Sequence, residues 1–117
     1  PAIVAKDGVP LFATGTPGGK TIINTTLQTI LNVIDHGMNI ARAIDAPRIH
    51  HQWLPDSTRM ESGSFSADTV KLYEQRGHTI RETRAIGSAM GVYRDPDTGI
   101  LSGAADPRDE DGGAVAY

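Results

Sequence analysis

The sequence contains no cysteine, which excludes a disulfide framework, a thiolate zinc site and a cysteine nucleophile. It also has no apolar run near the ~20 residues that a membrane helix needs, and no basic leader opens it. Basic residues are not in excess, because 11 Lys and Arg stand against 14 Asp and Glu. The charge therefore predicts no nucleic acid and no anionic membrane surface as a partner. A starting methionine is missing too, and from Pro1 we expect a piece of a longer protein.

The length of 117 residues predicts a single domain, residues 1–117, with one modest core. Asp7 and Gly8 between two short apolar runs predict a β-hairpin. Apolar residues at three- and four-residue spacing predict a helix from Lys20 to His36 whose apolar side packs on the core. Further signals predict a short helix capped by Asn39, a strand over 59–61, a helix from Ala67 to Arg76 capped by Ser66, and three strands over 78–82, 89–94 and 100–104. Strands and helices do not alternate strictly, so the predicted fold class is α+β.

A glycine-rich turn separates the second predicted strand from the long helix. Gly18 and Gly19 lie where backbone N–H groups and the helix dipole converge on an anion. Two adjacent glycine amides suit a small anion, such as the tetrahedral oxyanion that forms when an amide is attacked. The alternative is that the glycines only permit a tight strand-to-helix turn. Taken by themselves, the residues favour this tight-turn interpretation.

The same segment partly matches a phosphate-binding loop. Gly19, Lys20 and Thr21 reproduce the end of the pattern GxxxxGK[ST]. The spacing fails by one position, since Thr14 stands where the first glycine belongs, and Pro17 removes a backbone donor. The sequence also has no apolar strand ending in an aspartate that would hold Mg²⁺. Nucleotide binding is therefore not expected.

The remaining polar residues predict no further catalytic site and no metal site. His50 and His51 are adjacent, so their rings point to opposite faces of an extended segment and cannot share a metal ion. No GxSxG elbow is present, and no serine nucleophile is assigned. Asp106 and Arg108 are expected to form an exposed ion pair worth about 0 to 1 kcal/mol. The acidic stretch over 106–111 is expected to be a solvated tail.

Four motifs follow one another along the chain: GTPGGKTIINTTLQTILNVIDHGMN, APRIHHQWLPD, SADTVKLYEQRGH and GAADPRDEDGGAVAY. In these motifs the chain resembles the C-terminal part of the small subunit of the γ-glutamyltranspeptidases, also called glutathione hydrolases. The likeness runs over essentially the whole chain. Members of the family typically end in Gly-Tyr, whereas this sequence ends in Ala116 and Tyr117.

The resemblance implies an N-terminal-nucleophile hydrolase, in which two antiparallel sheets lie between helical layers as an αββα sandwich. In this family a precursor cleaves itself, and the Thr exposed at the start of the small subunit attacks the γ-glutamyl carbonyl of glutathione-like substrates. The γ-glutamyl group then passes to water, an amino acid or a peptide. By resemblance, Gly18 and Gly19 donate the two N–H groups of the oxyanion hole. The nucleophile would lie upstream of Pro1, so no threonine of this chain is assigned that role: not Thr14, Thr16, Thr21, Thr25 or Thr26.

The resemblance implies no cofactor and no bound metal. The partners that it implies are a γ-glutamyl substrate, the rest of the small subunit and the large subunit, and it suggests a periplasmic or extracellular location. The isolated chain is expected to be inactive. It is also expected to self-associate through the uncovered apolar face of the helix from Lys20 to His36. A second hypothesis is a non-catalytic binding module that keeps the fold of the family's C-terminal half.

Overall fold

A computed structural model of the chain describes residues 1–115. Ala116 and Tyr117, where the ending departs from that of the resembled family, lie outside the described residues. The strands are β1 (Ala2–Lys6), β2 (Val9–Gly15), β3 (Ile49–His50), β4 (Thr58–Glu61), β5 (Ile80–Thr83), β6 (Met90–Arg94) and β7 (Leu101–Ala105). The helices are α1 (Ile22–Ile34), α2 (Ile40–Asp45) and α3 (Ala67–Gln75), and a single 3₁₀ turn, Gly19–Thr21, precedes α1.

The chain divides into two compact units. Unit 1 holds Pro1–Ala46 together with the chain from Gly87 onward, and unit 2 holds Pro47–Ile86. The expectation of a single domain stays a prediction. The predicted α+β composition agrees with the elements observed in both units.

Unit 1 is built on a four-stranded antiparallel sheet with the strand order β1-β2-β6-β7. Asp7 and Gly8 join β1 to β2 with φ of 52° and 80°, the left-handed angles that a tight hairpin turn requires. The sheet contains both hairpins that the sequence predicted, β1–β2 and β6–β7. Pairing of β2 with β6 brings two segments that are far apart in sequence into one sheet.

Helix α2 covers one face of this sheet. Its residues Ile40 and Ile44 form a buried cluster with Phe12 of β2 and with Ala89. A Cβ at Gly91 would come within 2.8 Å of the Ile40 Cδ1 atom, so the missing side chain allows α2 to lie close to β6. The predicted cap is confirmed: the Asn39 side chain accepts a hydrogen bond from the Arg42 N–H at 2.9 Å.

Helix α1 begins and ends two residues inside the predicted range, and its buried face differs from the predicted one. Thr25 and Thr29 are buried, whereas Ile23, Leu27 and Ile34 are at least half exposed. Ile30 packs against the core cluster as predicted, but the prediction that the apolar side as a whole packs on the core is wrong within residues 1–115. The expectation that this side is left uncovered agrees with the structure.

Unit 2 contains a three-stranded sheet with the order β3-β4-β5. Strands β3 and β4 are antiparallel, and β4 and β5 run parallel through a crossover that includes α3. The predicted cap of α3 is confirmed, since the Ser66 side chain accepts a hydrogen bond from the Thr69 N–H. The sequence did not predict the two-residue strand β3. Nor did it predict that β5 pairs in a separate sheet from β6 and β7.

Candidate functional site

The glycine turn lies where β2 ends and the 3₁₀ turn before α1 begins. Gly18 has φ 137° and Gly19 has φ 57°, a region that glycine enters without a steric penalty. Both residues are exposed. Within residues 1–115, neither the Gly18 N–H nor the Gly19 N–H donates a hydrogen bond. Two adjacent backbone donors are therefore open to a ligand.

The carbonyl groups of the turn are engaged by two threonines. The Thr16 hydroxyl donates to the Pro17 carbonyl oxygen at 2.6 Å. The Thr21 hydroxyl and the Thr21 N–H both donate to the Gly18 carbonyl oxygen, at 3.0 and 3.2 Å. The Pro17 and Gly18 carbonyl oxygens are thus hydrogen-bonded within the turn, whereas the Gly18 and Gly19 N–H groups donate no hydrogen bond within residues 1–115.

The two glycines differ in how much room a side chain would have. A Cβ at Gly18 would lie 2.6 Å from the Thr21 Oγ1 atom and 3.6 Å from the Gly87 Cα atom. A Cβ at Gly19 would meet no atom within 4 Å. At Gly18 both the backbone angle and the close contact require glycine, whereas at Gly19 only the angle does.

A second segment of unit 1, Gly87–Ser88, packs behind the turn. The Ser88 N–H donates to the Thr16 Oγ1 atom at 2.9 Å. A Cβ at Gly87 would lie 2.7 Å from the Thr25 Oγ1 atom and 3.0 Å from the Thr16 Oγ1 atom, so this approach requires glycine as well. The Ser88 hydroxyl in turn donates to the Asp109 carboxylate at 3.0 Å.

The Asp106 side chain binds Ala89, the residue that follows the Gly87–Ser88 segment. Its Oδ2 atom accepts a hydrogen bond from the Ala89 N–H at 2.7 Å, and its Oδ1 atom pairs with the Arg108 guanidinium at 3.0 Å. The same guanidinium donates to the carbonyl oxygens at the end of α2, those of Ile44, Asp45 and Ala46. Asp106 therefore connects the Gly87–Ser88 segment to α2.

The expectation of an exposed Asp106–Arg108 pair is wrong. The Asp106 side chain is 0% exposed and that of Arg108 is 15% exposed. Asp106 is thus part of the core of unit 1 and not of a solvated tail, because it satisfies a buried backbone donor. The other acidic residues of this stretch, Asp109, Glu110 and Asp111, are exposed as expected.

A groove of about 490 Å³ adjoins the turn. Thr16 and Pro17 belong to its lining, together with apolar or small strand residues such as Ala13, Val92 and Gly103. Gly18 and Gly19 are not among its lining residues, so the groove ends beside the turn and does not contain the two glycine amides.

His50 and His51 lie in unit 2. His50 is buried with its Nε2 atom 2.9 Å from the Gln52 Oε1 atom, and His51 is exposed beside Asp56. In the described part of the chain no three His, Asp or Glu side chains are grouped so that they could hold a metal ion. None of the helices within residues 1–115 is both long and apolar enough to cross a bilayer.

Sequence reasoning thus named Gly18 and Gly19 as candidates and did not name the residues that position the turn. Thr16 and Thr21 lie within three residues of the carbonyls that they bind, a spacing typical of local side-chain-to-backbone hydrogen bonds. This spacing could have predicted their contacts. Gly87 and Ser88 reach the turn from a distant part of the sequence, and no local pattern marks them.

Comparison with known proteins extends over nearly the whole chain. The model of the γ-glutamyltranspeptidase family matches residues 1–116. The glutathione hydrolase proenzyme of Escherichia coli (strain K12) is 50% identical over 117 residues, which are 100% of this chain and 20% of that protein. The chain therefore spans about one fifth of the length of this relative.

Solved structures show the same fold. An acivicin-inhibited γ-glutamyltranspeptidase superimposes with a TM-score of 0.90 at 40% identity, over 94% of this chain and 60% of the other. A mutant of the Helicobacter pylori γ-glutamyltranspeptidase superimposes with a TM-score of 0.88 at 38% identity, over 93% and 60% of the two chains. These likenesses confirm the predicted fold class, part of an N-terminal-nucleophile hydrolase sandwich. The chain belongs to the γ-glutamyltranspeptidase family.

Proposed function

We propose that the longer protein containing this chain cleaves the γ-glutamyl amide bond of glutathione-like substrates and passes the γ-glutamyl group to water, an amino acid or a peptide. In this proposal Gly18 and Gly19 donate the two N–H groups of the oxyanion hole. The observation that carries it is the pair of adjacent, exposed glycine amides without a hydrogen-bond acceptor in residues 1–115. Membership of a family whose relatives include a glutathione hydrolase proenzyme supports the choice of reaction.

The chemistry requires such donors. Attack on the γ-glutamyl carbonyl converts its oxygen into an oxyanion in a tetrahedral intermediate, and fixed N–H groups stabilise the developing charge. The nucleophile is an N-terminal Thr outside this chain, whose own α-amine accepts the hydroxyl proton. A threonine inside the chain has no free α-amine and cannot act in this way. The isolated chain is therefore inactive in this proposal.

The partners follow from the surfaces of unit 1. Ile23, Leu27 and Ile34 expose an apolar side of α1, and Met90 and Val92 are half exposed on β6. Exposed apolar areas of this kind mark contact surfaces. We assign them to the rest of the small subunit and the large subunit. Without these partners the isolated chain would self-associate, and a monomeric mass in sedimentation at high concentration would contradict that.

The test is kinetic and uses the full-length protein with a γ-glutamyl anilide. We expect Gly18→Ala to lower kcat towards the roughly 10²- to 10³-fold loss typical of a removed oxyanion donor, because the new Cβ must displace Thr21. Gly37→Ala is the matched control for Gly19→Ala. Both positions have a positive φ, 62° and 57°, and neither Cβ would meet an atom within 4 Å.

Gly37→Ala is expected to leave kcat unchanged while Gly19→Ala lowers it. Unchanged kcat in both Gly18→Ala and Gly19→Ala would refute the oxyanion role. A full-length protein without γ-glutamyl activity would instead support the non-catalytic module. Turnover of the anilide by the isolated chain would contradict the assignment of the nucleophile to a residue outside it.

A further inference from the structure

The direction of each glycine N–H is coupled to a carbonyl of the preceding residue. The Gly18 N–H shares one planar peptide unit with the Pro17 carbonyl, and the Gly19 N–H shares one with the Gly18 carbonyl. In a trans peptide unit the N–H and C=O bonds point in opposite directions, and the unit rotates as a whole. A group that binds the carbonyl therefore also sets the direction of the N–H.

Thr16 holds the first of these peptide units. Its hydroxyl donates to the Pro17 carbonyl oxygen at 2.6 Å and accepts the Ser88 N–H at 2.9 Å. Because the Oγ1 atom is an acceptor towards Ser88, its own proton is left for Pro17. The β-branched side chain restricts rotation about χ1, which further fixes the hydroxyl.

Thr21 holds the second peptide unit. Its hydroxyl and its N–H both donate to the Gly18 carbonyl oxygen, at 3.0 and 3.2 Å. Thr21 is only 5% exposed, so water does not compete freely for these bonds. Two donors on one oxygen leave the Gly18–Gly19 peptide unit little freedom to rotate.

We infer that Thr16 and Thr21 are positioning residues that aim the Gly18 and Gly19 N–H groups at the oxyanion through the carbonyls of the same peptide units. The inference rests on the proposed oxyanion role of the two glycines. It gives each glycine donor its own threonine: Thr16 for Gly18 and Thr21 for Gly19. In this arrangement each threonine acts on its donor through the carbonyl of the shared peptide unit.

A merely structural role of the threonines would have different consequences. If their hydrogen bonds only stabilised the turn, their loss would lower the amount of folded protein and leave the kcat of the folded fraction unchanged. If they aim the donors, kcat falls in folded protein while KM stays the same, because the oxyanion exists only during the reaction.

The experiment replaces each hydroxyl by a methyl group of similar size in the full-length protein. Thr16→Val and Thr21→Val are each expected to lower kcat about 10- to 100-fold, less than or equal to the loss of a donor, with unchanged KM for a γ-glutamyl anilide. Thr16→Ser and Thr21→Ser keep the hydroxyl and are expected to restore kcat to within about 2-fold of the wild-type value, since the hydrogen bonds of the hydroxyl are retained. The matched control is Thr29→Val, which removes a buried α1 hydroxyl that donates to the Thr25 carbonyl at 3.0 Å and does not bind the turn.

The outcomes separate this inference from the proposed function. If Gly18→Ala lowers kcat and both valine variants keep it, the threonines do not aim the donors, while the oxyanion role stands. If neither the glycine nor the threonine variants change kcat, the proposed oxyanion role of the glycines is refuted, and the inference falls with it. If Thr29→Val lowers kcat as much as Thr21→Val, the effect comes from α1 and the inference is wrong.

A second pair of variants covers failure of a valine variant to fold. Thr16→Cys and Thr21→Cys keep the approximate side-chain size and replace the hydroxyl by a weak thiol donor. Both are expected to have a kcat lower than that of the wild type and of the serine variants. Their kcat should still be higher than that expected when an oxyanion donor is lost. Wild-type kcat in both cysteine variants would overturn the inference.

Discussion

Within residues 1–115, each unit contains one buried side-chain carboxylate that binds backbone N–H groups: Asp106 in unit 1 and Glu61 in unit 2. Asp106 is 2% exposed and Glu61 is 4% exposed. In both, each carboxylate oxygen accepts a hydrogen bond from a backbone N–H, and one of these N–H groups belongs to an arginine. The same chemistry therefore occurs once in each unit.

The two carboxylates differ in what they connect. Glu61 accepts the N–H groups of Arg48 and Ile86, at 3.0 and 2.8 Å, and the Arg48 guanidinium donates to the Ile86 carbonyl at 2.8 Å. It thereby joins the beginning and the end of unit 2. Asp106 binds its near neighbour Arg108 and the distant Ala89, and so supports the segment behind the glycine turn. Glu61 connects the two ends of unit 2, and Asp106 supports the candidate site in unit 1.

The largest effect is expected from Asp106→Ala. The change leaves the Ala89 N–H without its acceptor and removes the carboxylate that pairs with the Arg108 guanidinium, and breaking a buried pair of this kind costs about 3–5 kcal/mol. Hydrogen exchange of the Ala89 N–H measures the resulting loss of local stability. Glu110→Ala is the control, since Glu110 is an exposed acidic residue of the same stretch. Equal effects of the two substitutions would show that Asp106 does not anchor the segment.

A smaller effect is expected from Glu61→Gln. The glutamine amide keeps one acceptor oxygen, but its NH₂ group faces the other backbone N–H. That buried N–H is then unsatisfied, which costs about 1–3 kcal/mol. The Arg48 and Ile86 N–H groups should then exchange faster, while exchange of the Ala89 N–H stays as in the wild type. Glu82→Gln on β5 is the control, because Glu82 is exposed. Faster exchange of Ala89 in Glu61→Gln would mean that the two carboxylates do not act separately.

The elements that sequence reasoning predicted are those fixed by neighbouring residues. Asp7 and Gly8 form the first hairpin turn, and Asn39 and Ser66 cap their helices, because each depends on angles or hydrogen bonds within three residues. The glycine turn was found for the same reason. The roles of Glu61 and Asp106 could not be predicted, because Ile86 and Ala89 lie 25 and 17 positions away from them.

The buried face of α1 was mispredicted for a different reason. Spacing identifies an apolar side, yet burial depends on what lies against it. Thr29 is buried at low cost because its hydroxyl donates to the Thr25 carbonyl of the preceding turn, so its polar group is satisfied within the helix. Ile23 and Leu27 stay exposed, since nothing within residues 1–115 covers them fully.

The smallest effect concerns an exposed carboxylate, Asp95, in the loop between β6 and β7. The Thr98 N–H, 2.7 Å from the Asp95 Oδ1 atom, is the main cause that holds the pKa of this carboxyl below its ordinary value, and the Thr98 hydroxyl adds to it. A lowered pKa means that folding favours the charged form. The contribution of Asp95 to stability is then fully present above the ordinary aspartate pKa of about 3.9 and is lost as the pH falls through the lowered value.

An NMR titration of the Asp95 carboxyl carbon measures this directly. We expect Thr98→Val to raise the pKa of Asp95 part of the way towards the ordinary value, because the hydroxyl bond is lost while the stronger backbone N–H bond remains. The variant should leave exchange of the Ala89 and Ile86 N–H groups unchanged, since an exposed carboxylate stays in contact with water and supports no buried donor. A pKa of Asp95 at or above the ordinary value in the wild-type chain would contradict the loop geometry. A change at Ala89 would contradict the distinction between exposed and buried carboxylates.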